Sequence, residues 1–127
     1  MKERILYLDD EPALVFLMTR MLEHLGYRAA GFTLAAEALA AFEADPAGFA
    51  LVITDLSMPG ASGFEVAQRV LQIQPDTAVV IVSGCVSAQD EERARAIGVR
   101  AIIPKPDTIK AMEETIGRLL KQGARSS

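Results

Sequence analysis

Two residue types that build reactive centres are almost missing from this 127-residue chain, which has one cysteine, Cys85, and one histidine, His24. A lone cysteine cannot close an internal disulfide, so a disulfide framework is excluded and a reducing cytoplasm is the natural home. Without a Cys/His cluster there is no ligand set for zinc or copper, and His24 reads as an exposed helix residue. Long apolar runs are absent too. No stretch of about eighteen apolar residues is available to span a membrane, and the run that follows Met1–Arg4 is too short for a signal peptide. Basic residues are in deficit, thirteen against seventeen acidic ones for a net charge of −4. That argues against direct nucleic-acid binding as the main task. There is also no internal repeat and no low-complexity linker. The length suits one domain that buries roughly two-thirds of its unfolded surface. Residues 1–122 are expected to form it, with 123–127 a fraying tail or the start of a linker.

What is present is organised around Leu51-Val52-Ile53-Thr54-Asp55-Leu56-Ser57-Met58-Pro59-Gly60. The run from Ala50 to Ile53 has no polar alternation, which suits a central strand buried on both faces. Pro59-Gly60 marks a turn. Asp55 therefore stands where a buried strand surfaces, at its carboxyl end.

The rest of the chain repeats that grammar. Ile5-Leu6-Tyr7-Leu8 predicts a strand closed by Asp9-Asp10-Glu11-Pro12. Pro12 then opens a helix capped by Asp10 or Glu11, with Leu14, Met18, Met21, Leu22 and Leu25 inward and Gly26 as the stop. Phe16, Arg20 and Glu23 fall on the opposite side, so Phe16 is an apolar residue the core does not need. Tyr27 to Phe32 predicts an edge strand, and Thr33 a cap for a helix that buries Ala35, Ala38, Leu39 and Phe42. Ser62-Gly63-Phe64-Glu65 and Ser87 to Asp90 match capping boxes for a third and a fourth helix. The fourth has a thin apolar face, Ala88, Ala94 and Ile97, and is expected to shift most easily. Ala78 to Val82 and Ala101 to Ile103 predict two more strands. Asp107 caps a last helix with Ile109, Met112, Ile116, Leu119 and Leu120 inward. Five strand–helix units imply a parallel five-stranded sheet covered on both faces, a three-layer α/β sandwich with five helices.

In a parallel sheet every carboxyl end lies on one side, and ligands bind there. The first loop brings Asp9, Asp10 and Glu11, the third Asp55, the fourth Ser83 and the fifth Lys105. Taken singly, each has an ordinary reading as a cap, a turn residue, a local hydroxyl or a solvated lysine. Taken together, they form a matched set. Two carboxylates about 4 Å apart repel by roughly 4 kcal/mol at an effective dielectric of 20. Three in one pocket must take up protons or bind a cation. Hard oxygen ligands suit Mg²⁺. With the dication present, Asp55 becomes a usable nucleophile for a phosphoryl group, Lys105 a partner for its oxygens and Ser83 a hydrogen-bond donor.

These residues resemble the receiver domain of bacterial two-component response regulators. The resemblance is carried by Leu6-Tyr7-Leu8-Asp9-Asp10-Glu11-Pro12, Thr54-Asp55-Leu56-Ser57-Met58-Pro59 with Gly63, Val82-Ser83-Gly84 and Lys105-Pro106. It implies a flavodoxin-like strand order of 2-1-3-4-5. It also implies that Asp55 accepts phosphate from a sensor histidine kinase or a histidine phosphotransfer protein. Asp10, Asp55 and the main-chain carbonyl of Ser57 would ligate Mg²⁺, with Asp9 helping through water. Lys105 would hold the phosphoryl group, a cis bond to Pro106 is expected, and Ser83 would be the switch hydroxyl. Two positions depart from the pattern: Ile102 stands where many receivers carry Tyr or Phe, and Asp107 where an apolar residue is common. Phe16 is expected to dock the phosphodonor.

Such a domain is not an enzyme toward other molecules; it catalyses only its own phosphorylation and dephosphorylation. Two other readings stay open on the sequence. One is a Mg-dependent phosphatase working through an aspartyl phosphate, disfavoured by adjacent Asp9-Asp10 in place of Asp-x-Asp. The other is a receiver-like interaction domain that is never phosphorylated, which Ile102 keeps in view. A flavin carrier is disfavoured by three acids in the first loop. The output partner and any phosphorylation-linked homodimer are left open.

Overall fold

Five stretches rich in aliphatic and β-branched residues form the strands. β1 spans Arg4–Leu8, β2 Arg28–Phe32, β3 Leu51–Asp55, β4 Ala78–Ser83 and β5 Ala101–Pro104. The computed structural model describes residues 3–105 and, beyond them, Lys110, Glu113, Glu114, Gly117 and Arg118. All five strands pair in parallel, in the order β2-β1-β3-β4-β5, the flavodoxin-like order expected. β3 and β4 are buried along their whole length, as unbroken apolar runs require. β2, with exposed Arg28 and Gly31, is an edge strand.

Four helices join them: α1 (Pro12–His24), α2 (Ala35–Ala44), α3 (Gly63–Ile73) and α4 (Ala88–Ile97). Side-chain alternation divides the core in two. Ile5, Tyr7, Leu51, Ile53, Val80 and Val82 pack with Met18 and Leu22 of α1 on one face. Leu6, Leu8, Val52, Val79 and Ile81 pack with α2, α3 and Ala94 of α4 on the other. Gly31 permits α1 to lie close on β2, since a Cβ there would sit 2.5 Å from Val15 and 2.8 Å from Thr19.

The turns and caps differ most from the pattern expected. α1 begins at Pro12 as expected, but neither Asp10 nor Glu11 caps it with a side chain; Glu11 is the N-cap and its own amide donates to Asp9 Oδ1 at 2.9 Å. Thr33 does not cap α2, whose N-cap is Leu34, 58% exposed. Ser62 caps α3 through the amide of Phe64, two residues on, and not through that of Glu65. The box at α4 is complete: the Asp90 amide donates to Ser87 Oγ and the Ser87 amide to Asp90 Oδ2. β5 runs one residue further than expected, because Pro104 sits opposite Ser83 at its very end, where no amide is needed. A two-residue antiparallel ribbon, Ser57–Met58 with Ala61–Ser62, was not foreseen. The expected Asp107 cap, the bond to Pro106, the inward face of a fifth helix and the tail 123–127 lie outside the described residues; Lys110, Glu113, Glu114, Gly117 and Arg118 are helical.

Candidate functional site

Register fixes which strand-end side chains can meet. Ile5 and Tyr7 of β1, Ile53 of β3 and Ala101 and Ile103 of β5 share the face covered by α1. Counting on by twos, Asp9, Asp55 and Lys105 emerge on that same face. The geometry follows: Lys105 Nζ lies 3.4 Å from Asp55 Oδ2 and 3.6 Å from Asp9 Oδ2. Asp9, Asp10 and Asp55 offer carboxylate oxygens that all lie within 4.8 Å of one another. Four residues from three loops therefore converge.

Two of the acids are deeply placed: Asp9 is 1% and Asp55 5% exposed, while Asp10 is less covered. Burial raises the Asp55 carboxyl above its usual range; the neighbouring charge of Asp9 adds to this and Lys105 opposes it. Burial likewise raises Asp9, against the Glu11 amide and Lys105. Lys105 is also raised, since its partial burial is outweighed by Asp9 and Asp55. One lysine thus leaves the pocket short of positive charge.

The main chain around Asp55 is held tightly. Thr54 Oγ1 donates to the Asp55 carbonyl at 3.0 Å, and the Leu56 amide continues the ladder to Val82 at 2.9 Å. Gly63 packs directly on this segment: its amide donates to the Leu56 carbonyl at 2.7 Å, and a Cβ on it would lie 2.5 Å from the Asp55 carbonyl oxygen. The readable signal was a glycine immediately after a helix cap, where close backbone approach excludes a side chain. Tyr7, two residues before Asp9, was not foreseen as part of the surroundings; burial, then Asp9 and Asp55, hold its phenol protonated.

Ser83 and Ile102 take a different place in the register, although the Ser83 carbonyl accepts from the Lys105 amide. Both fall on the opposite register parity, the face covered by α2, α3 and α4. The Ser83 hydroxyl donates to the Cys85 carbonyl at 2.8 Å and accepts from the Cys85 amide at 3.2 Å. Its local backbone role is the one realised here. Ile102 lines a cavity of about 250 Å³ between α4 and β5, with Glu91, Arg95 and Arg100 among its walls. Ser57 lies in the ribbon, opposite Ser62. Phe16 is 65% exposed on α1 with the Arg20 guanidinium 5.3 Å over its ring, away from the core as expected.

The family model described as response regulator receiver domain matches residues 5–117. The chain belongs to that family. Among relatives of this receiver domain is the C4-dicarboxylate transport transcriptional regulatory protein DctD of Rhizobium meliloti (strain 1021). It is 36% identical over 80 residues, 63% of this chain and 17% of that protein. The response regulator receiver protein CpdR of Brucella abortus (strain 2308) is 26% identical over 118 residues, covering 93% of this chain and 97% of CpdR. The receiver domain thus spans nearly all of one relative and a small part of the other. A CheY-like receiver domain protein from Methanospirillum hungatei JF-1 superimposes over 100% of both chains with a TM-score of 0.94 at 26% identity. The chain is accordingly a receiver domain of two-component response regulators, a family phosphorylated at aspartate. No helix among the described residues is long and apolar enough to cross a membrane.

Proposed function

We propose that Asp55 is the phosphoacceptor of this receiver domain, and that its phosphorylation alters partner binding. The observation that carries the reading is the juxtaposition of Asp9, Asp10 and Asp55 with Lys105 bridging the two buried members. Carboxylate oxygens gathered without histidine or cysteine fit a hard dication. Asp10, Asp55 and the Ser57 carbonyl are the residues that would hold Mg²⁺, with Asp9 acting through water. When bound, such an ion supplies the positive charge that phosphoryl transfer demands.

The chain's own residues do the rest. An Asp55 carboxylate oxygen attacks phosphorus, and the bond to the donor's imidazole nitrogen breaks as the acyl phosphate forms. Lys105, already between Asp9 and Asp55, turns its charge to a phosphoryl oxygen. The Ser83 hydroxyl must leave the Cys85 main chain to reach the group, which makes it the switch, and the aliphatic Ile102 leaves that switch without an aromatic half. The donor is a sensor histidine kinase or a histidine phosphotransfer protein, and Phe16 belongs to the surface it meets. The domain catalyses only its own phosphorylation and dephosphorylation, in the cytoplasm; residues 1–122 form it and 123–127 a tail or linker start.

Incubation with acetyl phosphate and Mg²⁺, read by intact mass, tests this. A single acid-labile phosphate is expected on the native protein and none on Asp55→Asn or after chelation. Steady hydrolysis of unrelated phosphomonoesters would instead reveal a phosphatase.

A further inference from the structure

Leu34 has a place at the carboxyl edge that the fold alone does not account for. It stands at the N-cap of α2, where a side chain that accepts from the first helical amides is favoured, and it makes no such bond. The core does not use it either, since it is 58% exposed. Its side chain borders an open cavity of about 250 Å³. Ala35 extends that wall, and Met58, Pro59 and Ala61 of the antiparallel ribbon supply the other apolar lining. The ribbon wall is preformed. Met58 pairs with Ala61, and Pro59-Gly60 closes the turn between them with Gly60 at φ +75°, which calls for glycine there. Asp10 also lines the cavity, and its carboxylate belongs to the acid cluster around Asp55. The hole therefore opens at the rim of the reacting site. A macromolecule that brings a phosphorylated imidazole to Asp55 covers its mouth.

We propose that this cavity is a specificity pocket for the phosphodonor. It receives one uncharged aliphatic side chain that the donor protein carries close in space to its phosphohistidine, and Leu34 forms the lip. The inference rests on Asp55 being the phosphoacceptor. The lining selects the occupant. Apolar walls offer no partner to a polar guest, and a carboxylate there meets both Asp10 and the charge of the incoming phosphoryl group. An aliphatic group meets neither penalty. Phe16 lies on α1, which covers one face of the sheet, whereas Leu34 and Ala35 begin α2, which covers the other. The donor thus gains a second apolar point of contact, from the opposite layer. Leu34 touches no reacting atom and acts on the choice of donor.

The experiment compares two phosphodonors on the native protein, Leu34→Asn and Ala61→Leu, with Mg²⁺ present. One donor is the phosphorylated core of a sensor histidine kinase that transfers to the native protein. The other is phosphoramidate, a small molecule with the same P–N bond and no protein surface. Asn is a good N-cap, so Leu34→Asn removes the apolar lip without weakening α2. Ala61→Leu keeps the surface apolar but fills the hole, which separates insertion from a general gain in apolar surface. Burying one aliphatic side chain is worth about a ten- to hundredfold change in an equilibrium. Ala61→Leu is expected to lose about tenfold or more in kcat/KM for transfer from the kinase, mainly through KM, and Leu34→Asn several-fold. Both should take phosphate from phosphoramidate at the native rate. Native kcat/KM with the kinase in Ala61→Leu overturns the pocket. An equal loss with phosphoramidate places the effect in the chemistry and overturns it as well. A native protein that takes no phosphate from phosphoramidate or from the kinase overturns the Asp55 reading and this one with it.

Discussion

Asp55 pays electrostatically for its position, and the cost is measurable. Both it and Asp9 have folded pKa values raised above the ordinary 3.8. The folded state therefore holds their protons more tightly than the unfolded chain does. That contribution to stability is fully present below the ordinary carboxylate value and is lost as pH rises through the raised folded values. Lys105 slopes the same way at the alkaline end: its contribution is present below 10.5 and lost as pH rises through its raised value. Metal-free Asp55→Asn should accordingly be more stable than the native protein near neutral pH, by about 1 kcal/mol, with a flatter dependence above the ordinary carboxylate value; urea unfolding at a series of pH values checks this. Lys105→Ala removes the cation 3.4 and 3.6 Å from two buried carboxylates. A loss of about 1–3 kcal/mol is expected without metal, narrowing when Mg²⁺ is added. The acids and the lysine were legible because each follows an apolar run at a strand end. The use Ser83 makes of its hydroxyl was not, since a serine beside several backbone groups carries no spacing signal for which one it will bond.

At the scale of elements, apolar runs and stripes mark β1 to β5 and α1 to α3, because burial leaves a regular pattern, whereas α4, with a thin apolar face, is marked by its capping box. Caps were less readable. Glu11 stands at the α1 N-cap, one of the two positions expected, but without a side-chain bond, its amide going to Asp9; at α2 Leu34 takes the place expected for Thr33. Neighbouring polar residues compete for one cap, and tertiary position chooses between them. Gly63 shows how an element start can matter to the site. Gly63→Ala must push a methyl group into the Asp55 carbonyl. It should cost about 1–3 kcal/mol in chemical denaturation and lower phosphate uptake from acetyl phosphate. On α1 the opposite holds for Phe16, which is mostly exposed. Phe16→Ala should change stability by less than about 0.5 kcal/mol while slowing transfer from a cognate phosphodonor and sparing acetyl phosphate. Normal transfer kinetics from that donor would remove Phe16 from the docking surface.

Across the whole molecule, the site is a consequence of parallel strands. Right-handed crossovers bring β1, β3 and β5 to a common edge, and the period of two along each strand then selects Asp9, Asp55 and Lys105 for one face and Ser83 and Ile102 for the other. The order of strands and the acidic edge could be inferred from the resemblance and the apolar runs together. The division of the site between two faces needed the register, which pairs Asp55 with Val82 and Ser83 with Pro104. The most direct test of the account is chemical trapping of the acyl phosphate. After acetyl phosphate and Mg²⁺, borohydride reduction should convert Asp55, and no other residue, to homoserine, and chelation should abolish the product. Homoserine at a different aspartate, or an unmodified Asp55 under saturating metal and phosphodonor, would contradict it.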